Sequence, residues 1–219
     1  MLSDGYRIEA QCLSKQKCDE IIAELASVRR SRAGARHLMT HPMIAEVAEC
    51  PTFIDIAASW LGGNAVPFRA TLFDKSAQQN WLIPWHQDTA LPLVRKTVQE
   101  GWGSWSEKEG VIYAHAPTWA LRRIVALRLQ LDDSNSDNGP LRVIPGSHEQ
   151  GVLADPDVQQ YASNHSSVDC LTDRGGLIIM RPLLIHSSPK AATLARRRVL
   201  HIEYCDTLDF GNDVRLAVV

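Results

Sequence analysis

The chain has 219 residues, 22% of them charged, and a formal net charge of -2. That length can bury a substantial core in one domain, and the near-neutral balance argues against a polyanion-binding surface. No apolar run approaches the ~20 residues of a membrane span, and Met1 to Tyr6 has neither the basic start nor the apolar stretch of a signal peptide.

Five cysteines (Cys12, Cys18, Cys50, Cys170, Cys205) are scattered without a Cys-x-x-Cys pair. They read as reduced thiols in a cytoplasmic protein. Arg29, Arg30, Arg32 and Arg36 cluster without interleaved aromatic residues, which describes a solvated helix end and not a nucleic-acid surface.

In chain order, Tyr6 to Ala10 alternates weakly as a short strand. Ser14 offers an N-cap, and Cys18, Ile21, Ile22, Leu25 and Val28 recur at helical spacing, which predicts an amphipathic helix from Lys15 to about Arg30. Pro42 and Pro51 open two further helices, the second stopped by Gly62-Gly63. Residues 1–63 are thus mostly helical support.

From residue 64 the period changes. Strands are predicted over Val66–Asp74, Trp81–Asp88, Arg123–Leu131, Leu141–Ile144, Val168–Leu171, Leu177–Met180, Leu183–Ser188 and Arg197–Tyr204, with Asp137-Asn138-Gly139-Pro140 as a hairpin signal. Residues 89–119, rich in Gly and Trp, read as a long irregular insertion. Such a segment is either a substrate cover carrying Trp102, Trp105, Lys108, Tyr113 and His115, or tryptophans packed on a barrel rim. Helices followed by about eight short strands predict a mainly β fold over 1–219: a double-stranded β-helix of jelly-roll, cupin-like type, backed by the N-terminal helices.

Two strands alternate cleanly. Val125, Leu127, Leu129 and Leu131 face away from Arg128, Gln130 and Asp132, and Leu200, Ile202 and Tyr204 face away from Arg197, Val199, His201 and Glu203. Helices covering the apolar faces would turn the polar faces into the barrel, where buried Arg and His need partners such as an anionic ligand.

The chemistry centres on Trp85-His86-Gln87-Asp88. In an extended strand His86 and Asp88 project to one face about 6–7 Å apart and can hold two corners of a metal site. His186 closes an apolar run, Leu183-Leu184-Ile185, and supplies a third corner. Two His and one carboxylate on one face suit non-haem Fe(II) oxygen chemistry. His148 reads as a structural residue, His37, His41 and His165 as solvated, and His115 and His201 as facing the cavity.

Taken together, several segments in order resemble the phytanoyl-CoA dioxygenase family of Fe(II)/2-oxoglutarate oxygenases. They are Asp4-Gly5-Tyr6, Leu72-Phe73-Asp74-Lys75, Trp85-His86-Gln87-Asp88, Asn138 to His148, Arg181-Pro182-Leu183-Leu184-Ile185-His186-Ser187-Ser188 and Arg196-Arg197-Arg198. The resemblance implies iron ligation by His86, Asp88 and His186, with 2-oxoglutarate and O2 as co-substrates. It implies that an arginine eleven residues beyond the distal histidine, Arg197, binds the far carboxylate of 2-oxoglutarate, and that Ser188 also touches the co-substrate. A one-residue bulge would pass that role to Arg198.

Arg128 stands where the family often has an aromatic residue and reads as either a second co-substrate contact or a substrate anchor. Related halogenases carry a small residue at the position of Asp88, so the carboxylate implies hydroxylation or desaturation. The expected partner is a small molecule, with no nucleic acid and no membrane, and oligomeric state is not readable. Two alternatives stand beside this reading: a cupin-like metalloenzyme that does not use 2-oxoglutarate, and a non-catalytic metal- or 2-oxoglutarate-binding module.

Overall fold

The structure is a computed structural model that describes residues 3–30 and 34–219. The helical third opens after strand β1 (Tyr6–Glu9) with α1 (Lys15–Glu24), capped by the Ser14 hydroxyl, which accepts from the Lys17 amide at 3.1 Å. A 3-10 turn over Leu25–Ser27 ends it short of the predicted Arg30. The reason is tertiary. Arg30 leaves the helix to bond the carboxylate of Asp74, which is 4% exposed, and its other Nη donates back to the Leu25 carbonyl at 3.0 Å. Arg30 is therefore an ion-pair partner and not part of a solvated end, while Arg32 lies outside the described residues.

Helices α2 (Pro42–Ala48) and α3 (Pro51–Leu61) each begin on proline, and α3 ends on Gly62 at φ +81°, a left-handed cap that glycine adopts freely. Strand β2 (Gly34–Ala35) lies between α1 and α2 in the chain. No helix among the described residues is long and apolar enough to cross a membrane.

Eight further strands join β1 and β2 in the two sheets that build the barrel. The larger sheet has the order β1-β11-β8-β13-β3-β2, where β3 is Val66–Lys75, β8 Ile124–Gln130, β11 Leu177–Met180 and β13 Arg197–Cys205. The smaller has the order β10-β9-β12-β4, with β4 Ile83–His86, β9 Leu141–Val143, β10 Val168–Cys170 and β12 His186–Ser188. Every pairing is antiparallel. This is the double-stranded β-helix expected from the alternation.

The faces sort as the patterning requires. Leu127, Leu129, Leu200 and Ile202 pack with Ile21, Ile44, Phe53 and Trp60 of the helices in one apolar cluster. Each such fully buried side chain contributes about 1.5–3 kcal/mol over leaving it in water. Because side chains alternate, the opposite faces of β3, β8 and β13 turn Lys75, Phe73, Arg69, Arg128, Arg197, His201 and Glu203 inward.

Several local expectations change. The segment 89–119 is not irregular: β5 (Ala90–Leu93), β6 (Trp105–Lys108) and β7 (Val111–His115) form a third antiparallel sheet, order β5-β7-β6. Trp102 packs edge-on against Trp119 and Phe210 and is buried, so this part of the segment is core. A short helix α4 (Thr118–Leu121) then leads into β8, and α5 (Asp155–Asn164) covers β4. The Asp137–Pro140 turn joins β8 to β9 in the other sheet, so it makes a crossing between sheets and no hairpin.

Candidate metal centre and the two cavities around it

Strand β4 stops at His86, two residues short of the predicted end, and β12 starts at His186. The two histidines are cross-strand partners, with ring centroids 4.1 Å apart. Asp88 lies just past β4, anchored by its amide, which donates to the Pro182 carbonyl at 2.9 Å.

His186 Nε2 is 3.4 Å from Asp88 Oδ2, and His86 Nε2 is 3.7 Å from Asp88 Oδ1. The donor atoms of all three lie within 4.8 Å of one another. Each imidazole is oriented by its far side. His86 Nδ1 meets the Pro84 carbonyl at 2.9 Å, and His186 Nδ1 meets the Leu184 carbonyl at 2.8 Å. A carbonyl can only accept, so both Nδ1 atoms carry the proton and both Nε2 atoms face the common centre.

The charge states suit a cation. Burial and the neighbouring His186 push His86 down to about 4, so its ring is neutral at ordinary pH. Burial alone would raise Asp88, but His186 and His86 hold it well below the usual carboxylate range. Two imidazole Nε2 atoms and one carboxylate converging on one point fit one divalent ion, with coordination positions left over for other ligands.

Between His86 and Asp88, Gln87 points the other way. Its Nε2 donates to the Gly151 and Leu183 carbonyls at 2.8 and 2.7 Å, and its Oε1 accepts from the Leu153 amide at 2.9 Å. It ties the end of β4 to two loops and so sets the position of both neighbours. Its place at the centre of His-x-Asp is the only signal the chain offers for this role.

Beside the cluster is a cavity of about 240 Å³ whose walls include His86, Asp88, His186, Ser188 and Arg197. Arg197 is 5% exposed, with Nε donating to the Asn138 carbonyl and Nη2 to the Ser188 hydroxyl, each at 3.2 Å. Lys75, directly opposite Arg197 in register and 2% exposed, donates to the same hydroxyl at 2.8 Å. The Ser188 proton goes to the Gly139 carbonyl at 2.8 Å. Glycine is needed at 139, because at φ +70° a Cβ would lie 2.5 Å from the Pro189 carbonyl.

Burial, with Arg197 close by, pushes Lys75 down to about 7, and burial with Arg128 pushes Arg197 down to about 9. Among the described residues, no carboxylate lies within ion-pair distance of Lys75, Arg128 or Arg197. The cavity therefore holds uncompensated positive charge, the condition for an anion site.

Arg196 and Arg198 face outward. Arg196 makes a bidentate pair with Asp74 at 2.7 and 2.6 Å, and Arg198 does so with Asp132 at 2.8 and 2.7 Å. No bulge shifts the register near Arg197; the irregularity in β13 lies between Glu203 and Tyr204. Arg128 borders the same cavity, its guanidinium over the Phe73 ring, one Nη donating to His201 Nδ1 at 3.0 Å and its Nε without a partner.

A second cavity, of about 180 Å³, reaches Asp88 past Phe73 and is bordered by Arg36, Arg69, Lys108, His201 and Glu203. Of the other histidines, His201 faces this interior as expected. His115 does not: it is exposed and bonded to the Thr89 hydroxyl at 2.6 Å. His37 is not solvated but half-buried against the Tyr113 hydroxyl at 3.0 Å. His148 packs against Gly5, where a Cβ would strike its ring.

A jelly-roll barrel with two imidazoles and a carboxylate converging at its mouth has the architecture of a mononuclear metal enzyme with an open coordination face. The model of the family described as "Phytanoyl-CoA dioxygenase (PhyH)" matches residues 1–199, so the chain belongs to that family, whose enzymes are Fe(II)- and 2-oxoglutarate-dependent oxygenases. A protein from Streptomyces griseoviridis named L-proline trans-4-hydroxylase is 24% identical over 216 residues, covering 87% of this chain and 72% of that one. Among solved structures, the non-haem alpha-ketoglutarate-dependent epimerase SnoN from nogalamycin biosynthesis superposes with a TM-score of 0.71 at 17% identity, over 94% of this chain and 78% of its own. EctD from S. alaskensis in its apo form gives 0.68 at 21% identity, over 98% and 80%. AviO1 from Streptomyces viridochromogenes gives 0.65 at 21%, over 93% and 90%.

Proposed function

We propose that the protein hydroxylates an unactivated C–H bond of a small molecule, taking His86, Asp88 and His186 as iron ligands and releasing succinate and CO2 from 2-oxoglutarate. The observation that carries this reading is the adjacency of the three converging side chains to a buried cavity in which Lys75, Arg128 and Arg197 have no carboxylate within ion-pair distance among the described residues. Iron and 2-oxoglutarate, when bound, would supply the oxidising power that no side chain has.

The chain's own contribution is placement. Arg197 presents a guanidinium fork suited to a carboxylate, and Lys75 adds a second positive charge through the shared Ser188 hydroxyl. Arg128 borders this cavity and not the second one, which favours co-substrate contact over substrate anchoring. Hydrocarbon from Phe73, Ile83 and Leu141 excludes water around the charged groups and strengthens their pull on an anion. Residues 1–219 act as one oxygenase domain on this reading, and five free cysteines fit a cytoplasmic setting.

The test is anaerobic addition of Fe(II) and then 2-oxoglutarate, watching for a visible charge-transfer band, followed by O2 and assay for succinate. A band and succinate support the reading. A metal site that never engages 2-oxoglutarate would identify a cupin-like metalloenzyme, and a band without succinate at any substrate would identify a binding module.

A further inference from the structure

The second cavity has a charge layout that the metal and co-substrate do not use. Its floor is Glu203, 1% exposed, whose Oε2 is taken by Arg69 Nε while Oε1 is buried without a hydrogen-bond partner. Arg69 spends a second donor on the Ala90 carbonyl at 2.9 Å. His201 Nε2 stands 3.7 Å from Oε2, beyond hydrogen-bond length, and its Nδ1 is occupied by Arg128. A buried carboxylate oxygen left bare keeps its desolvation cost uncompensated, so it is a place made for a donor.

The mouth has the opposite character. Arg36 and Lys108 border it, and burial, with Arg36 and Arg69 close by, holds the Lys108 ammonium below its ordinary value. Lys108 leans over the Tyr113 ring at 4.7 Å and has no acidic partner among the described residues, and Arg36 has only Glu109 at 3.9 Å. Between acceptor and cations runs a space of about 180 Å³, below the ~300 Å³ at which drug-sized pockets begin. A thioester carrier or a long acyl chain would have to lie largely outside it.

Resting on the oxygenase reading, we propose that this cavity is the substrate pocket and takes a small amino carboxylate, its nitrogen donating to Glu203 Oε1 and its carboxylate lying between Arg36 and Lys108. Such a molecule reaches past Phe73 to the side of Asp88, the ligand shared by the two cavities. The paired ends also discriminate. A molecule lacking the nitrogen leaves Glu203 Oε1 without a donor, and one lacking the carboxylate leaves two cations facing each other.

The test uses the full chain loaded anaerobically with Fe(II) and 2-oxoglutarate. The probes are the twenty protein amino acids, β-alanine and 4-aminobutyrate, each with its N-acetyl and methyl-ester derivative. Expected are a shift of the charge-transfer band and calorimetric binding for at least one free amino carboxylate, with both derivatives weakened at least 30-fold. Lys108→Met and Arg36→Met should raise the Kd of that probe at least tenfold while leaving the Kd of its methyl ester within threefold. Glu203→Gln should shrink the preference for the free amine over the N-acetyl form; because Glu203 also pairs with Arg69, the two rim variants stand as the independent check if it fails to fold. A band that no probe perturbs, or a derivative that binds as well as its parent, overturns the pocket assignment alone. Failure to form any band overturns the oxygenase reading and this inference with it.

Discussion

Replacing Arg197 with Met separates binding from stability. The guanidinium is 5% exposed, bonded to a carbonyl and a hydroxyl, and stands near Arg128 and opposite Lys75 with no carboxylate within ion-pair distance among the described residues. Folding buries this charge at a cost, which is why its proton is held only to about 9. Deleting the charge while keeping an apolar stem of similar length should leave the ligand-free protein no less stable, and Tm should hold or rise. The bound state behaves oppositely. If the far carboxylate of 2-oxoglutarate pairs with Arg197, its loss leaves a buried anion unmatched, costing about 3–5 kcal/mol, or two to three and a half decades in Kd. The assay is titration of 2-oxoglutarate into the Fe(II)-loaded protein, with thermal unfolding of the ligand-free variant alongside. Arg198→Met is the contrast. It strips Asp132 of its bidentate partner, so it should lower Tm and leave co-substrate affinity nearly unchanged. If Arg197→Met binds 2-oxoglutarate within threefold of the parent, or if Arg198→Met carries the loss instead, the assignment of the anion site is wrong.

Other consequences can be checked separately. His86→Ala or Asp88→Ala should abolish Fe(II) binding and iron-dependent succinate production, and full turnover in either would remove these ligands. Gln87→Leu strands two carbonyls and an amide; it should destabilise the protein by at least about 2 kcal/mol in urea unfolding and weaken Fe(II) affinity, whereas unchanged metal affinity would show that His86 and Asp88 hold their places without it. Lys75 titrates near 7 in the ligand-free protein, and a bound anion must raise that value. Binding then takes up protons between the two values, so Kd should be flat below about pH 7 and rise as pH increases above it, a trend that Lys75→Met should flatten. Trp102→Ala should cost about 3–5 kcal/mol as a core truncation; a loss under about 1 kcal/mol would return its segment to the role of a mobile cover.

Much of the site is legible because it rests on neighbours in the chain. Alternation along Arg197–Tyr204 and Val125–Leu131 assigns inner and outer faces without any coordinates, since side chains reverse at each residue of a strand. Ser14, Pro42, Pro51 and Gly62 mark helix ends for equally local reasons, as the backbone groups they cap lie within one turn. Where the sequence pattern misleads, the reason is the converse. The helix over Lys15–Glu24 stops early because Asp74, far along the chain, claims Arg30. Lys75 looks like one more polar end of a strand until register sets it opposite Arg197.

The amino-acid order by itself determined the candidate ligand residues, the inner and outer faces of the strands, and the division into helical support and β barrel, because periodicity and capping are short-range properties. Which of three consecutive arginines turns inward with no acid beside it, that residues 89–119 fold as a sheet around a buried tryptophan, and that a bare carboxylate oxygen ends up across a small cavity from two cations were decided only in three dimensions. Charge compensation and packing depend on partners that the chain brings together from far apart, and no local pattern records who those partners are.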